Sequence, residues 1–61
     1  MKLEILPRQE GENIAINVDA IEVVLPKGDR AAIHLTSGKV ISVELSMEEL
    51  IQRLTQQGWR K

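Results

Sequence analysis

The apolar period changes once along this chain, and the change falls at Ser46. Before it, apolar residues come in short runs that alternate with polar ones, the period-2 pattern of half-buried strands. After it they recur at three- and four-residue spacing, the pattern of an amphipathic helix. Strands first and one helix last confine the chain to the α+β class. The runs are KLEIL (2–6), NIAINV (13–18), IEVVL (21–25), RAAIHL (30–35) and VISVEL (40–45). Alternation puts Leu3 and Ile5 on one face of the first run against Lys2 and Glu4. Ile14, Ile16 and Val18 share a face in the second, Ala31, Ile33 and Leu35 in the fourth, and Ile41, Val43 and Leu45 in the fifth. The β-branched third run reads as an inner strand covered on both sides, closed by Pro26. PRQEGEN (7–13) reads as an irregular connection, Asp19 and Ala20 as a bend, and Lys27–Asp29 and TSGK (36–39) as hairpin turns, with Gly28 free to take positive φ. The expected architecture is a small antiparallel meander of four to five strands, with one C-terminal helix over about 47–57 laid on its apolar face.

The helix carries the clearest local signals. Ser46 followed by Glu49 is a capping box: the Ser oxygen accepts from a free backbone N–H, and Glu49 reaches back to the N–H of Ser46. Met47, Leu50, Ile51 and Leu54 form one apolar stripe, and Glu49 and Arg53 stand four apart as an ion pair. Gly58 is placed to end the helix in a left-handed conformation, with Trp59 folding back toward Leu54.

A chain of 61 residues makes one domain, 1–61, and buries only about 60% of the surface its unfolded form exposes. Small domains compensate with disulfides, metals or oligomerisation. With no cysteine and one histidine, self-association, most simply as a homodimer, is the remedy expected, through a sheet edge or a reverse face softened by Ala15, Val24 and Ala32. Leu, Ile and Val make up 19 of the 61 residues, enough to drive folding. Trp59 is the sole aromatic, so the core is aliphatic and no stacking platform for bases is present. A net charge of −1 with both signs interspersed supplies no field to steer nucleic acid or an anionic membrane. The broken apolar stretch at 1–10 resembles neither a secretory leader nor a membrane span, so no membrane insertion is expected. The lack of cysteine fits a cytoplasmic location.

Reactive chemistry has little material here. His34 is the one histidine, and a nucleophile needs a base and a third group orienting it. The Ser37-Gly38-Lys39 step lacks the second glycine and following helix of a phosphate loop. Glu48 and Glu49 are helical neighbours that face apart. No catalytic, cofactor-binding or metal-ligating residue is assigned, and the chain reads as a non-enzymatic protein-interaction or regulatory module. The outward positions Glu22, His34, Ser42 and Glu44 are the candidates for meeting a protein partner. For the alternative, a small nucleic-acid-binding regulator, the candidates are Arg8, Lys27, Arg30 and Lys39. Arg8 and 27–30 are expected at one end of the sheet, beside Glu10, Glu12 and Asp29, and Lys39 at the other.

Three stretches carry a resemblance: Asn17-Val18-Asp19-Ala20-Ile21-Glu22, Ile33-His34-Leu35-Thr36-Ser37-Gly38-Lys39, and Val43 through Ile51. Over roughly 13–54 the chain resembles the small bacterial FlbD/SwrD-like proteins linked to flagella and swarming. Their pattern runs N-A-D-x-I-E, then I-x-L-x-(N/S/D)-G-K, then V-x-E-S-x-E-E into a helix. The chain departs from it at Leu45, where an acidic or polar residue often precedes the Ser, and in its opening strand and PRQEGEN loop. The resemblance implies a regulatory, non-catalytic role. Parts of the chain also look like a LytTR domain, which implies DNA binding, though that domain is longer and more basic. The length and helix position are similar to those of small β-rich dimeric RNA regulators, without their basic strand edges.

Overall fold

A computed structural model describes residues 2–59. In chain order it contains β1 (Leu3–Leu6), β2 (Ile14–Asn17), a single 3-10 turn (Val18–Ala20), β3 (Ile21–Lys27), β4 (Arg30–Leu35), β5 (Val40–Val43) and α1 (Met47–Gln56). The α+β class, the five antiparallel strands and the C-terminal helix all agree with the sequence pattern. The strands do not form one continuous meander, however. They divide into a β1–β2 hairpin and a β3–β4–β5 sheet. The 3-10 turn makes the division: Asn17 Oδ1 accepts from the Asp19 amide at 3.0 Å, which curls the chain out of β2 before it enters β3.

The segment after β1, expected to be irregular, stitches the two sheets together. Glu44 N donates to Pro7 O at 2.9 Å and Gln9 N to Ser42 O at 3.0 Å, flanking a bridge between Arg8 and Val43. The Gln9 side-chain amide adds a bond to Val43 O at 3.1 Å. On the far side, Thr36 N donates to Ala20 O at 2.8 Å.

β1 faces the opposite way to its apparent alternation. Its register sets Leu6 against Ile14 and Glu4 against Ile16, while Leu3 and Ile5 face Asn17 and Ala15. Because Ile14 and Ile16 point inward, their partners must too. Leu6 is therefore fully buried while Ile5 is 62% exposed. Glu4, on the inner side, lies under the helix C-terminus, and its Oε1 accepts from Gln57 Nε2 at 2.8 Å.

β3 is likewise not an inner strand: it pairs with β4 alone, and Pro26 belongs to it, opposite Ala31. The two-residue loop Gly28-Asp29, with Gly28 at φ +62°, makes Lys27 and Arg30 the hydrogen-bonded pair of a tight hairpin. Pro26, one residue back, then directs its hydrogen-free nitrogen to the open edge, where proline is tolerated. A bulge between Ile21 and Val23 shifts the facing of the strand. Val24 turns inward and is buried, whereas plain alternation from Ile21 had put it on the reverse face.

α1 covers the inner side. Leu50 and Leu54 are fully buried against Leu6, Ile33 and Val43, with Met47 and Trp59 packed at the margin of this aliphatic core. Both helix signals are present. Glu49 N donates to Ser46 Oγ at 3.2 Å and Ser46 N to Glu49 Oε1 at 3.4 Å. At the other end Gly58, at φ +90°, donates to Thr55 O and Trp59 N to Leu54 O, the paired bonds of a Schellman ending. The helix closes at Gln56, one residue short of the expected end. The Glu49–Arg53 pair is not among the ion pairs of the described residues: Glu49 is occupied at the cap, and Arg53 Nη1 lies 3.5 Å from Ile5 O.

Candidate functional site

The outer face of the β3–β4–β5 sheet, turned away from α1, is built from three cross-strand rows. Val23, His34 and Val40 form the first; Leu25, Ala32 and Ser42 the second; Lys27 and Arg30, with Glu44 beside them, the third. Residues paired directly across antiparallel strands share a face, so the registers alone fix these rows. The bulge sets Glu22 and Val23 together against His34, since two residues of a bulged strand oppose one on its neighbour.

The centre of this face is apolar. Val23 is 38% exposed, Leu25 43% and Val40 55%, around Ala32 at 6%. Ala32 is buried by its neighbours on this side and is not part of the core cluster on the other. The rim is charged. Lys27 Nζ donates to Ser42 Oγ at 2.7 Å. Arg30 lies between two carboxylates, 3.3 Å from Asp29 and 3.4 Å from Glu44.

The two sets of sequence-derived candidates are thus not separate in space. His34, Ser42 and Glu44 belong to the outer face, as do Lys27 and Arg30, while Glu22 stands in the bulge at its edge and also borders the depression between β3 and α1. Arg8, Glu10, Lys27 and Ser42 line one shallow recess of about 290 Å³ beside β5. Arg8 itself folds back over its own loop, donating from Nε to Glu12 O at 2.8 Å, and so offers only part of its guanidinium to a ligand. Lys39 lies at the opposite end of the sheet, before β5. The four candidate basic residues therefore form no continuous track: Arg30 is paired with two carboxylates, Arg8 is held by its loop and Lys39 is remote. A phosphate backbone is gripped by several cations in line, an arrangement these positions do not provide.

His34 sits between Val23 and Val40 and is half-buried. Among the described residues, no group of three or more His, Asp or Glu is placed to hold a metal, and no helix is long and apolar enough to cross a membrane. A second depression of about 180 Å³ lies between β3 and α1, lined by Glu22, Val23, Val24, Met47, Ile51 and Trp59.

Sequence reasoning identified the polar positions of the outer face and Ala32, and missed Val23, Leu25 and Val40. Val23 and Leu25 lie in IEVVL, whose apolar excess reads as double-sided cover, and Val40 shares the outward alternation of Ser42 and Glu44 in VISVEL. No family model matches the chain, and no curated protein or solved structure matches it either.

Proposed function

We propose that the protein is a non-enzymatic interaction module that works as a homo-oligomer, with the outer face of β3–β4–β5 as its docking surface. The observation that carries this reading is the exposure of Val23, Leu25 and Val40 on one face around Ala32, ringed by Glu22, Lys27, Arg30 and Glu44. An apolar centre inside a charged rim is the anatomy of a protein interface, and a domain with so small a core gains most from covering it. The likeness to FlbD/SwrD-like proteins directs the regulatory role toward flagella or swarming, which a swarming assay on a deletion strain tests.

Sedimentation velocity at micromolar concentration tests the docking surface. The wild type sediments as a dimer or larger species, and Leu25→Glu sediments as a monomer with an unchanged far-UV circular dichroism spectrum. A wild type that stays monomeric with its apolar face open would sink the homo-oligomer reading.

A further inference from the structure

We infer that the open edge of β3, with the depression between it and α1, takes up an extended cationic segment of a partner protein as an added strand. This site is separate from the proposed docking face, which a second copy can cover while the edge stays open.

The edge carries an unpaired stretch of backbone. Lys27 and Arg30 close the hairpin as a hydrogen-bonded pair, and bonded pairs recur at every second residue: Leu25 with Ala32, then Val23 with His34. The β4–β5 register agrees. Leu35 N donates to Lys39 O at 2.9 Å, so Ile33, opposite Val24, directs its own backbone groups to Ile41. The N–H and C=O of Val24 therefore point away from β4, as does the C=O of Pro26. Among the described residues no element pairs with β3 on that side, yet Val24 is only 8% exposed. A backbone donor and acceptor so sheltered cost free energy until they are matched.

An antiparallel strand, the more stable pairing, exchanges both bonds with Val24 through a single residue. Directly paired residues share a face, so the side chain of that residue enters the 180 Å³ depression among Met47, Ile51 and Trp59. An apolar side chain suits this lining. The residue two positions earlier in the guest donates to Pro26 O, and the residue two positions later passes Glu22. Glu22 lines the depression, and Glu48 lines the shallow one beside it, with Ile51 common to both. Both carboxylates are exposed, and among the described residues neither has an ion-pair partner. Two unpaired carboxylates and an indole suit a cationic side chain. The guest is thus an apolar residue followed two positions later by Lys or Arg, with main-chain bonds giving affinity and the depression giving specificity. A second β3 does not qualify. Opposite Val24 it would offer its own Val24, already buried in its own core, and opposite Glu22 an uncharged Pro26.

Amide NMR titration of the intact chain with the capped hexapeptide TVLVKT tests the inference. The Val24 amide is expected to shift downfield saturably at peptide concentrations up to about 1 mM, and to exchange its hydrogen more slowly. Methylating the main-chain nitrogen of the peptide's leucine removes the donor to Val24 O and is expected to weaken binding about threefold to tenfold. The wild type is expected to bind TVLVKT about threefold more tightly than TVLVET. Glu22→Lys, with its fold checked by circular dichroism, is expected to lose or reverse that preference. No saturable shift at Val24 overturns the inference. An N-methylated peptide that binds equally well overturns strand addition. Equal affinity of the two peptides for the wild type, or a preference that Glu22→Lys leaves unchanged, overturns the cationic occupant. Each of these outcomes leaves the oligomeric state, and with it the docking-face reading, untouched.

Discussion

At the scale of single residues, the helix termini show how local chemistry sets boundaries. Ser46 and Glu49 satisfy two backbone donors reciprocally, and Ser46→Ala is expected to cost about 1 kcal/mol. In a domain of this size that lowers the thermal midpoint by about 4–8 °C, measured by circular dichroism. Gly58→Ala probes the other end. At φ +90° any side chain is strained, and the added carbon would also meet the flexible tip of Lys2. The lysine can move aside while the backbone cannot, so a loss of about 1–2 kcal/mol is expected. Both ends were readable in sequence because each depends on residues within a few positions of each other. The Glu49–Arg53 pair was misread for the same reason: spacing shows which residues can meet, but not that a nearer partner already holds the carboxylate.

At the scale of elements, the order, class and approximate limits of the strands followed from period-2 runs and from turn residues such as Gly28. Facing was less legible in β1 and β3. LEIL is apolar at three of its four positions, so its alternation fits either orientation, and the decision comes from Ile14 and Ile16 across the hairpin. Leu6→Ala is expected to cost about 2–5 kcal/mol through the cavity it leaves, while Leu3→Ala changes stability by no more than about 0.5 kcal/mol. Urea midpoints of the two variants check the register, and equal losses would contradict it. In β3 a single bulge reverses the facing of Val23, Val24 and Leu25. No local sequence mark announces a bulge, which is why Val23 and Leu25 went unnoticed on the outer face while its polar positions were identified. The sheet division was hidden for a related reason: Asn17-Val18-Asp19-Ala20 reads equally as a bend within one sheet or as a turn between two.

At the scale of the whole molecule, a Cα radius of gyration of 10.3 Å matches the ~10.5 Å of a compact domain of this length. One chain closes its own core, so the proposed partner adds to a finished fold and exchanges no strand with it. A two-stranded hairpin such as β1–β2 is marginal by itself, and here it is held by the Pro7–Gln9 stitch to β5 and by the helix end over Glu4. The proposed self-association predicts linkage: the thermal midpoint is expected to rise with protein concentration for the wild type and to be independent of it for Leu25→Glu. The Schellman ending gives the experimenter a probe at no cost. Trp59 is the only indole in a chain that has no tyrosine or phenylalanine, and it packs where the last helical turn meets the aliphatic interior. Ultraviolet emission from this protein therefore reports from a single known location, and a red shift during denaturation would time the undocking of the C-terminal helix separately from the loss of the sheets.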